Sequence, residues 1–376
     1  MRVLIAAGGT GGHIYPGIAV AKEIMRRDSA SVVRFVGTAR GLEARLVPKS
    51  GFELSIIESV GLKNVSLLAK LRGLGLLPQS ILAARRVIRH FSPDIVVGAG
   101  GYVSGPVLLA ASFMKLPTLV MDSNALPGWT NRVLARFVDR AAVSFAEALP
   151  HFRGKGVLTG NPVRKEFFEI PRKERDSSRF SLLTFGGSQG ARAINEAMIA
   201  ALPHLASQKK QLQVMHQTGE ADHDKVKRGY EAGSWRDHAD VRPYIDDMMS
   251  AFAKADLIVC RAGATTTAEL VAAGKAAIMI PFPLAADDHQ RRNAEALQGA
   301  GAAQMILQKD LTGKRLANEI ISLVAAPERI DEMEDASCKL ARRDAAAVTV
   351  DLMEELIEGR RQKAEGRRQK AEGSRQ

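Results

Sequence analysis

"GGTGGHIYPG", residues 8–17, follows the apolar run Val3–Ala7 and leads into an amphipathic stretch, Ile14 to Arg27. A strand, a glycine turn and a helix form a connection whose backbone N–H groups can approach a phosphate. The order Gly8-Gly9-Thr10-Gly11-Gly12 is not the G-x-G-x-x-G of a dinucleotide fold. The next strand candidate ends in Gly37-Thr38, with no carboxylate there for a ribose. No Gly-Lys-Ser/Thr follows, so it is not a P-loop either. Taken alone, the turn is equally a tight strand–helix connection, which also uses glycine.

Recurrence changes this reading. "GAGGYVSGP" (98–106) and "GGSQGAR" (186–192) place two more glycine-rich turns where an apolar run ends and a helix begins. In an open parallel sheet such turns share one edge. Glycines let amides reach an anion, and the helix N-terminus adds partial positive charge. Three such turns suit a ligand set with several phosphates. His13, at the foot of the first helix, can take a proton from a substrate hydroxyl. The helix N-terminus disfavours its imidazolium form, which helps keep a free base near neutral pH. A hydrogen bond to the loop is the simpler role for it.

Short apolar runs recur between helical stretches: Val3–Ala7, Val32–Val36, Leu54–Ile57, Ile95–Val97, Thr118–Val120 and Ala141–Val143. After "FSLLTF" (180–185) come Leu212–Met215, Leu257–Val259, Ala276–Ile280 and Ala303–Ile306. Continuous rather than alternating apolar strands fit parallel sheets covered on both faces. The fold class is therefore α/β, with two Rossmann-like doubly wound domains facing a cleft. A length of 376 residues agrees, since single cores rarely pass about 250–300. The charged stretch 166–179, with Pro171, reads as the linker. The repeat "EGRRQKA" at 358–364 and 365–371 has too little apolar content for a core and is expected to be disordered.

The net charge is +12, of which +5 sits in 359–376. The remainder favours an anionic partner: nucleic acid, acidic lipid or a phosphorylated substrate. No nucleic-acid recognition motif accompanies the charge. Two cysteines make neither a disulfide framework nor a zinc site. No signal peptide is evident, and the uncharged run Ile95–Met114 is interrupted by glycines and a proline, which argues against a membrane span. The D-x-D at Asp222–Asp224 lies in a polar helical stretch rather than at a strand end, so no metal site is expected. A diphosphate would then be neutralised by amides, helix ends and Arg or Lys.

The second half carries a nucleotide-sized set. "CRAGATTTAEL" (260–270) reads as a strand end, a loop, then a helix starting near Thr265 and capped by Thr265, Thr266 or Thr267. Glu269 can accept two ribose hydroxyls, or simply favour the helix dipole. "PFPLAADDHQRRNA" (281–294) offers His289, Gln290 and Asn293 to a sugar.

"GGTGGHIYPG", "GGYVSGP", "TNRVLA", "GNPVR", "GGSQGAR", "CRAGATT" and "DHQRRNA" together resemble the MurG family of glycosyltransferase family 28 over residues 1 to 358. These are the UDP-N-acetylglucosamine:lipid-linked muramoyl-pentapeptide N-acetylglucosaminyltransferases of bacterial cell-wall synthesis. The resemblance implies a GT-B fold with an acceptor domain (1–163), a donor domain (164–340), a last helix crossing back (341–358) and the basic tail outside. It implies an inverting transfer, without metal or other cofactor, from UDP-N-acetylglucosamine to the C4 hydroxyl of lipid I, giving lipid II. It implies residence at the cytoplasmic face of the bacterial inner membrane. By the same resemblance His13 is the candidate base. Thr10, Gly11, Gly12 and Asn124 meet the donor, and Arg164 and Ser188 match donor-binding positions. Ile245 lies against the uracil, and Ala264, Thr265, Thr266, Thr267, Ala268 and Glu269 form the nucleotide loop. Gln290 reaches the sugar. Gly100, Gly101, Tyr102, Val103, Ser104 and Gly105 hold the acceptor pyrophosphate.

One stretch departs from the family: Met121-Asp122-Ser123-Asn124 stands where members usually read His-Glu-Gln-Asn. Roles resting on the missing His and Gln do not transfer. A membrane contact has a candidate in 66–91, where leucines mix with Lys70, Arg72, Arg85, Arg86 and Arg89. A core helix is the other reading of that stretch. Two further functions share the architecture, a UDP-sugar 2-epimerase and a non-catalytic nucleotide-sugar-binding membrane scaffold.

Overall fold

The computed structural model describes residues 1–39, 41–58, 67–175, 178–187 and 189–373, apart from the side chains of 67–77, 286, 367, 368 and 370–373. The chain divides into two compact units, Met1–Val163 with Asp344–Gln376, and Arg164–Arg343.

The first unit runs β1 (Arg2–Ala7), α1 (Gly11–Arg27), β2 (Val32–Gly37), α2 (Glu43–Lys49), β3 (Glu53–Ile56), α3 (Leu67–Phe91), β4 (Ile95–Gly100), α4 (Ser104–Phe113), β5 (Thr118–Asp122), α5 (Trp129–Leu134), β6 (Arg140–Val143) and β7 (Gly156–Leu158). Among the described residues its seven strands pair in parallel in the order β3-β2-β1-β4-β5-β6-β7. Strand period explains the unbroken apolar run of β1. Val3, Ile5 and Ala7 point into a core shared with α1, while Leu4 and Ala6 point into a core shared with α3 and α4.

The second unit runs β8 (Phe180–Phe185), α6 (Arg192–Ala201), β9 (Leu212–Gln217), α7 (His223–Ala232), β10 (Ala239–Arg242), α8 (Met248–Lys254), β11 (Leu257–Cys260), α9 (Ala264–Ala272), β12 (Ala277–Met279), α10 (His289–Gly299), β13 (Ala303–Met305), α11 (Gly313–Val324) and α12 (Pro327–Leu340). Its described strands pair in parallel in the order β10-β9-β8-β11-β12-β13. Both sheets are doubly wound as the sequence implied. Each reverses its winding direction once, between β1 and β4 and between β8 and β11. Ligands of such sheets bind at the carboxyl ends of the strands at this reversal.

The last helix, α13 (Ala345–Gly373), returns to the first unit. Val350, Met353 and Ile357, spaced for one helical face, fill the core beneath α1. Arg27 of α1 donates to Ala347 O at 2.9 Å and pairs with Asp351 at 2.6 Å and Glu354 at 3.1 Å. The expectation of disorder in the tail is corrected: 359–373 continue α13 as helix. Lys, Arg, Gln, Glu and Ala are good helix formers, and a helix already nucleated by packing propagates at low cost.

The linker expectation for 166–179 is also corrected, because this segment is fastened to the second unit. Phe167 is fully buried, its ring 5.2 Å from that of Phe252. Arg172 and Arg175 pair with Asp331 and Glu334 of α12, and Lys173 with Asp256 at 2.6 Å. Charge density suggests solvent, but Glu334 and Asp256 among these carboxylate partners are buried, while Asp331 is half exposed.

Candidate functional site

At the β1/β4 reversal the first two glycine turns interlock. Gly8 N–H donates to Gly100 O at 3.3 Å. Gly101 has φ +82°, and a Cβ there would lie 2.0 Å from Gly8 O. Gly100 has φ +115°, and its Cβ would lie 2.2 Å from His13 Nδ1, so only glycine leaves room for that ring. The contact of the two turns places His13 in the first turn of α1, its N–H on Thr10 O at 3.1 Å. Thr10 is the N-cap, is exposed, and makes no capping bond with its hydroxyl. The first amides of α1, at Gly11 and Gly12, have no acceptor within the helix, which is the condition for receiving an anion.

The second turn, 100–105, divides into two kinds of residue. Tyr102 is exposed, and Gly101 is partly so. Val103, Ser104 and Gly105 are buried. Ser104 Oγ accepts from Gly100 N at 2.9 Å and lies 2.9 Å from Ala6 O and 2.8 Å from Gly100 O. Its hydroxyl shapes the turn from inside.

Asp122, at the end of β5, is buried and accepts from Asn124 N at 2.9 Å, Gly128 N at 3.3 Å and Asn131 Nδ2 at 2.8 Å. Burial pushes its carboxyl up to about 6, against the pull of these donors. The shorter acid at the departing position therefore folds the loop that presents Asn124.

At the β8/β11 reversal the third glycine turn docks on the end of β9. A Cβ on Gly190, at φ +75°, would lie 1.8 Å from Thr218 O. Gln217, buried, donates from Nε2 to Gly187 O at 2.8 Å and accepts from Ile245 N at 2.7 Å. The Ile245 N–H is therefore engaged. Beneath the turn, His216 shares a buried network with Tyr230 OH and Asn195, both at 3.1 Å. Burial lowers that imidazole to about 3, so it is neutral at physiological pH. Ser188 lies outside the described residues.

Helix α9 begins at Ala264 with Gly263 as N-cap, one residue earlier than the sequence suggested. The threonines do not cap it. Thr267 Oγ1 turns back to Ala264 O at 2.9 Å, and Thr265 Oγ1 is shielded from water with no hydrogen-bond partner. Glu269 is half a turn further in and pairs with Arg164 Nη2 at 3.1 Å. Burial raises the Glu269 carboxyl and Arg164 opposes the rise. Gln290 Oε1 accepts from Phe282 N at 3.0 Å, shaping the 281–288 loop. Asn293, offered by the sequence to a sugar, is instead fully buried and donates to Ala262 O at 3.1 Å. Arg261 fastens the same loop by bonds to Ile280 O at 3.0 Å, Pro281 O at 3.2 Å and Gln308 Oε1 at 2.8 Å.

Residues 3–143 match the glycosyltransferase family 28 N-terminal domain, and residues 181–349 match the C-terminal domain of the same family. The chain belongs to glycosyltransferase family 28. Among its relatives is the UDP-N-acetylglucosamine--N-acetylmuramyl-(pentapeptide) pyrophosphoryl-undecaprenol N-acetylglucosamine transferase of Anaeromyxobacter sp. (strain Fw109-5). That protein is 49% identical over 362 residues, covering 96% of this chain and 94% of the relative. The crystal structure of Acinetobacter baumannii MurG matches with TM-score 0.76 at 30% identity, over 94% of this chain and 99% of that one. A putative UDP-N-acetylglucosamine 2-epimerase from Listeria monocytogenes matches with TM-score 0.71 at 14% identity, over 95% of this chain and 97% of that one, a likeness of fold alone.

Within this family 28 chain, Thr10, Gly11, Gly12, His13 and 100–105 lie at the first reversal, and Ala264–Glu269, with Arg164 paired to Glu269, at the second. Asn124 follows β5, Ile245 follows the edge strand β10, and Gln290 lies in α10 after β12. Two side chains of these sites escaped the sequence reading. Gln217 ends β9, a strand that carries no other site signal. Glu43 sits six residues past the end of β2 and is folded back onto the first glycine turn.

Proposed function

We propose that the chain transfers N-acetylglucosamine from UDP-N-acetylglucosamine to the C4 hydroxyl of undecaprenyl-pyrophosphoryl-MurNAc-pentapeptide, lipid I, to give lipid II. The observation that carries this reading is a helix-N-terminal, glycine-lined edge at the winding reversal of each unit, in a family whose 49%-identical relative is named for this transfer. The second unit takes the donor. The carbonyl of Ile245 meets the uracil, Glu269 the ribose, and the amides at the start of α9 with the Thr265 hydroxyl and Arg164 meet the diphosphate. Ser188 and Gln290 complete the donor contacts. In the first unit the amides of Gly11 and Gly12, with Thr10 and Asn124, approach the donor, and the 100–105 turn receives the acceptor pyrophosphate.

In the reaction the acceptor O4 forms a bond to C1 and the C1–O bond to UDP breaks with inversion. UDP leaves with the electron pair, and the hydroxyl proton passes to His13. His13 stands in the first turn of α1, beside the Gly11 and Gly12 amides. Amides, helix ends and Arg164 stabilise the leaving diphosphate without a metal.

The lipid contact belongs to the 66–91 stretch, of which residue 66 and the side chains of 67–77 lie outside the described residues. No helix among the described residues is long and apolar enough to cross a membrane. In the described part of α3 Leu82 is 53% exposed and Arg85, Arg86 and Arg89 are exposed, and at the end of α4 Phe113 is 66% exposed, its ring 6.2 Å from that of Phe137. Apolar side chains rimmed by cations suit an anionic bilayer, here the cytoplasmic face of the inner membrane.

The test is transfer of labelled N-acetylglucosamine to a lipid I analogue, with chelator present. His13→Ala should lower kcat by about 10²–10⁴-fold. Undiminished turnover of His13→Ala would remove the base assignment, and loss of turnover on chelation would remove the metal-free one. Epimerisation of the donor without acceptor would replace the reading by an isomerase. Donor binding with neither reaction would leave a scaffold.

A further inference from the structure

The sequence shows no acid at the end of β2, where a dinucleotide fold keeps its ribose-binding carboxylate. The structure supplies one from α2. Glu43 is fully buried, and its carboxylate reaches back under the first glycine turn. Oε2 accepts from Gly9 N at 3.0 Å. Oε1 accepts from Thr38 N at 2.9 Å and from Thr38 Oγ1 at 2.8 Å. Burial alone would raise this carboxyl. The Thr38 and Gly9 donors and its own backbone N–H overcome that and hold it below the usual range, so it is an anion at neutral pH.

Three glycines make room for it. A Cβ on Gly41 would lie 1.9 Å from Oε2, one on Gly37 2.5 Å from Cγ, and one on Gly8 3.0 Å from Oε1. The pattern Gly37-Thr38…Gly41…Glu43 is thus a socket for an internal carboxylate, and the socket is closed on the turn that carries Thr10 to His13.

We propose that Glu43 is a positioning residue for transfer. A fixed internal anion binds the Gly9 amide and so sets the turn from which the Gly11 and Gly12 amides and His13 project. An external anion would otherwise compete for the Gly9 amide, because unpaired amides in a glycine turn attract anions. With Glu43 in place, the phosphate-binding amides are those after Gly9. The inference rests on the transfer reading above.

The variants separate positioning from stability. In Glu43→Gln the amide oxygen can keep the Thr38 donors, but the NH2 then faces the Gly9 N–H, donor against donor. Thr38→Val removes the hydroxyl bond to the same carboxylate and leaves Gly9 satisfied. Steady-state kinetics with both substrates, and urea unfolding, are measured for each. Glu43→Gln should lose about 10²-fold in kcat, as a misplacement of about 1 Å near reacting groups does, with donor KM within threefold of wild type. Thr38→Val should lose stability but keep kcat within threefold. Gly41→Ala, which displaces Oε2 without removing the charge, should reproduce the kcat loss and serves if Glu43→Gln does not fold. Folded Glu43→Gln or Gly41→Ala with kcat within threefold of wild type overturns the positioning role. Equal kcat losses in Glu43→Gln and Thr38→Val overturn it too, since they mark a general structural effect. If wild type itself transfers nothing, the reading of the reaction fails instead.

Discussion

Gly101→Ala tests whether the two turns of the first unit form one interlocked surface. The left-handed backbone at φ +82° costs a non-glycine residue about 1–2 kcal/mol. The new Cβ would also lie 2.0 Å from Gly8 O. An ordinary close carbon–oxygen contact is about 3.3 Å, so the turns must separate by roughly 1 Å. Overpacking of this kind adds about 1–3 kcal/mol. A total of about 2–5 kcal/mol is large against the 5–15 kcal/mol of a typical domain, yet leaves most molecules folded at 25 °C. The catalytic loss should be greater than the stability loss suggests, about 10²-fold in kcat, because His13 and the α1 amides move with the Gly8 side of the contact. Gly51→Ala is the control. Its φ is +86° and nothing lies within 4 Å of its Cβ, so it carries the backbone strain without the collision. Urea unfolding and transfer to a lipid I analogue are measured for both. Gly101→Ala with the same turnover as Gly51→Ala would refute the interlock.

Asp122 should give the first unit a pH-dependent stability. Its folded carboxyl lies at about 6 against an ordinary 3.8, so its contribution is full below pH 4 and is lost as pH rises through 6, about 3 kcal/mol in all. Asp122→Asn should flatten that slope in unfolding curves between pH 4 and 7. Glu269→Gln keeps the shape of the Arg164 pair but removes its charge, so UDP should bind about 10-fold more weakly by calorimetry, with kcat little changed. Arg27→Ala removes the ties from α1 to Ala347, Asp351 and Glu354. Because both carboxylates are about half exposed, the loss should be only about 0.5–1.5 kcal/mol by urea unfolding.

The apolar strands and glycine turns were legible because both obey short-range rules: two-sided burial gives continuous Val-Ile-Leu-Ala runs, and close backbone approach demands glycine. Two strands were not legible. β7 is three residues long, and β10, Ala-Asp-Val-Arg, is a charged edge strand with one neighbour. Both lack the burial that writes a pattern. The missed and misjudged side chains share a cause. Asn293, Ser104, Lys173 and Arg175 are polar residues with partners far away in sequence, so only the fold shows that they are drawn inward. Glu43 was hidden in another way. Thr38 is near, but Gly9 is not, and a turn and the start of α2 are needed to aim the carboxylate back at it.

The return of α13 to the first unit has a consequence for how the chain is made. The ribosome completes the second unit, through Arg343, before it emits Val350, Met353 and Ile357. Until then the apolar stripe of α1 that they cover has no lid, although α1 itself was synthesised more than three hundred residues earlier. The amino-terminal half must therefore wait, incompletely sealed, while the middle of the chain folds independently. Chains released before residue 357 should be the sticky ones, and chaperone demand should fall once that last apolar turn has emerged.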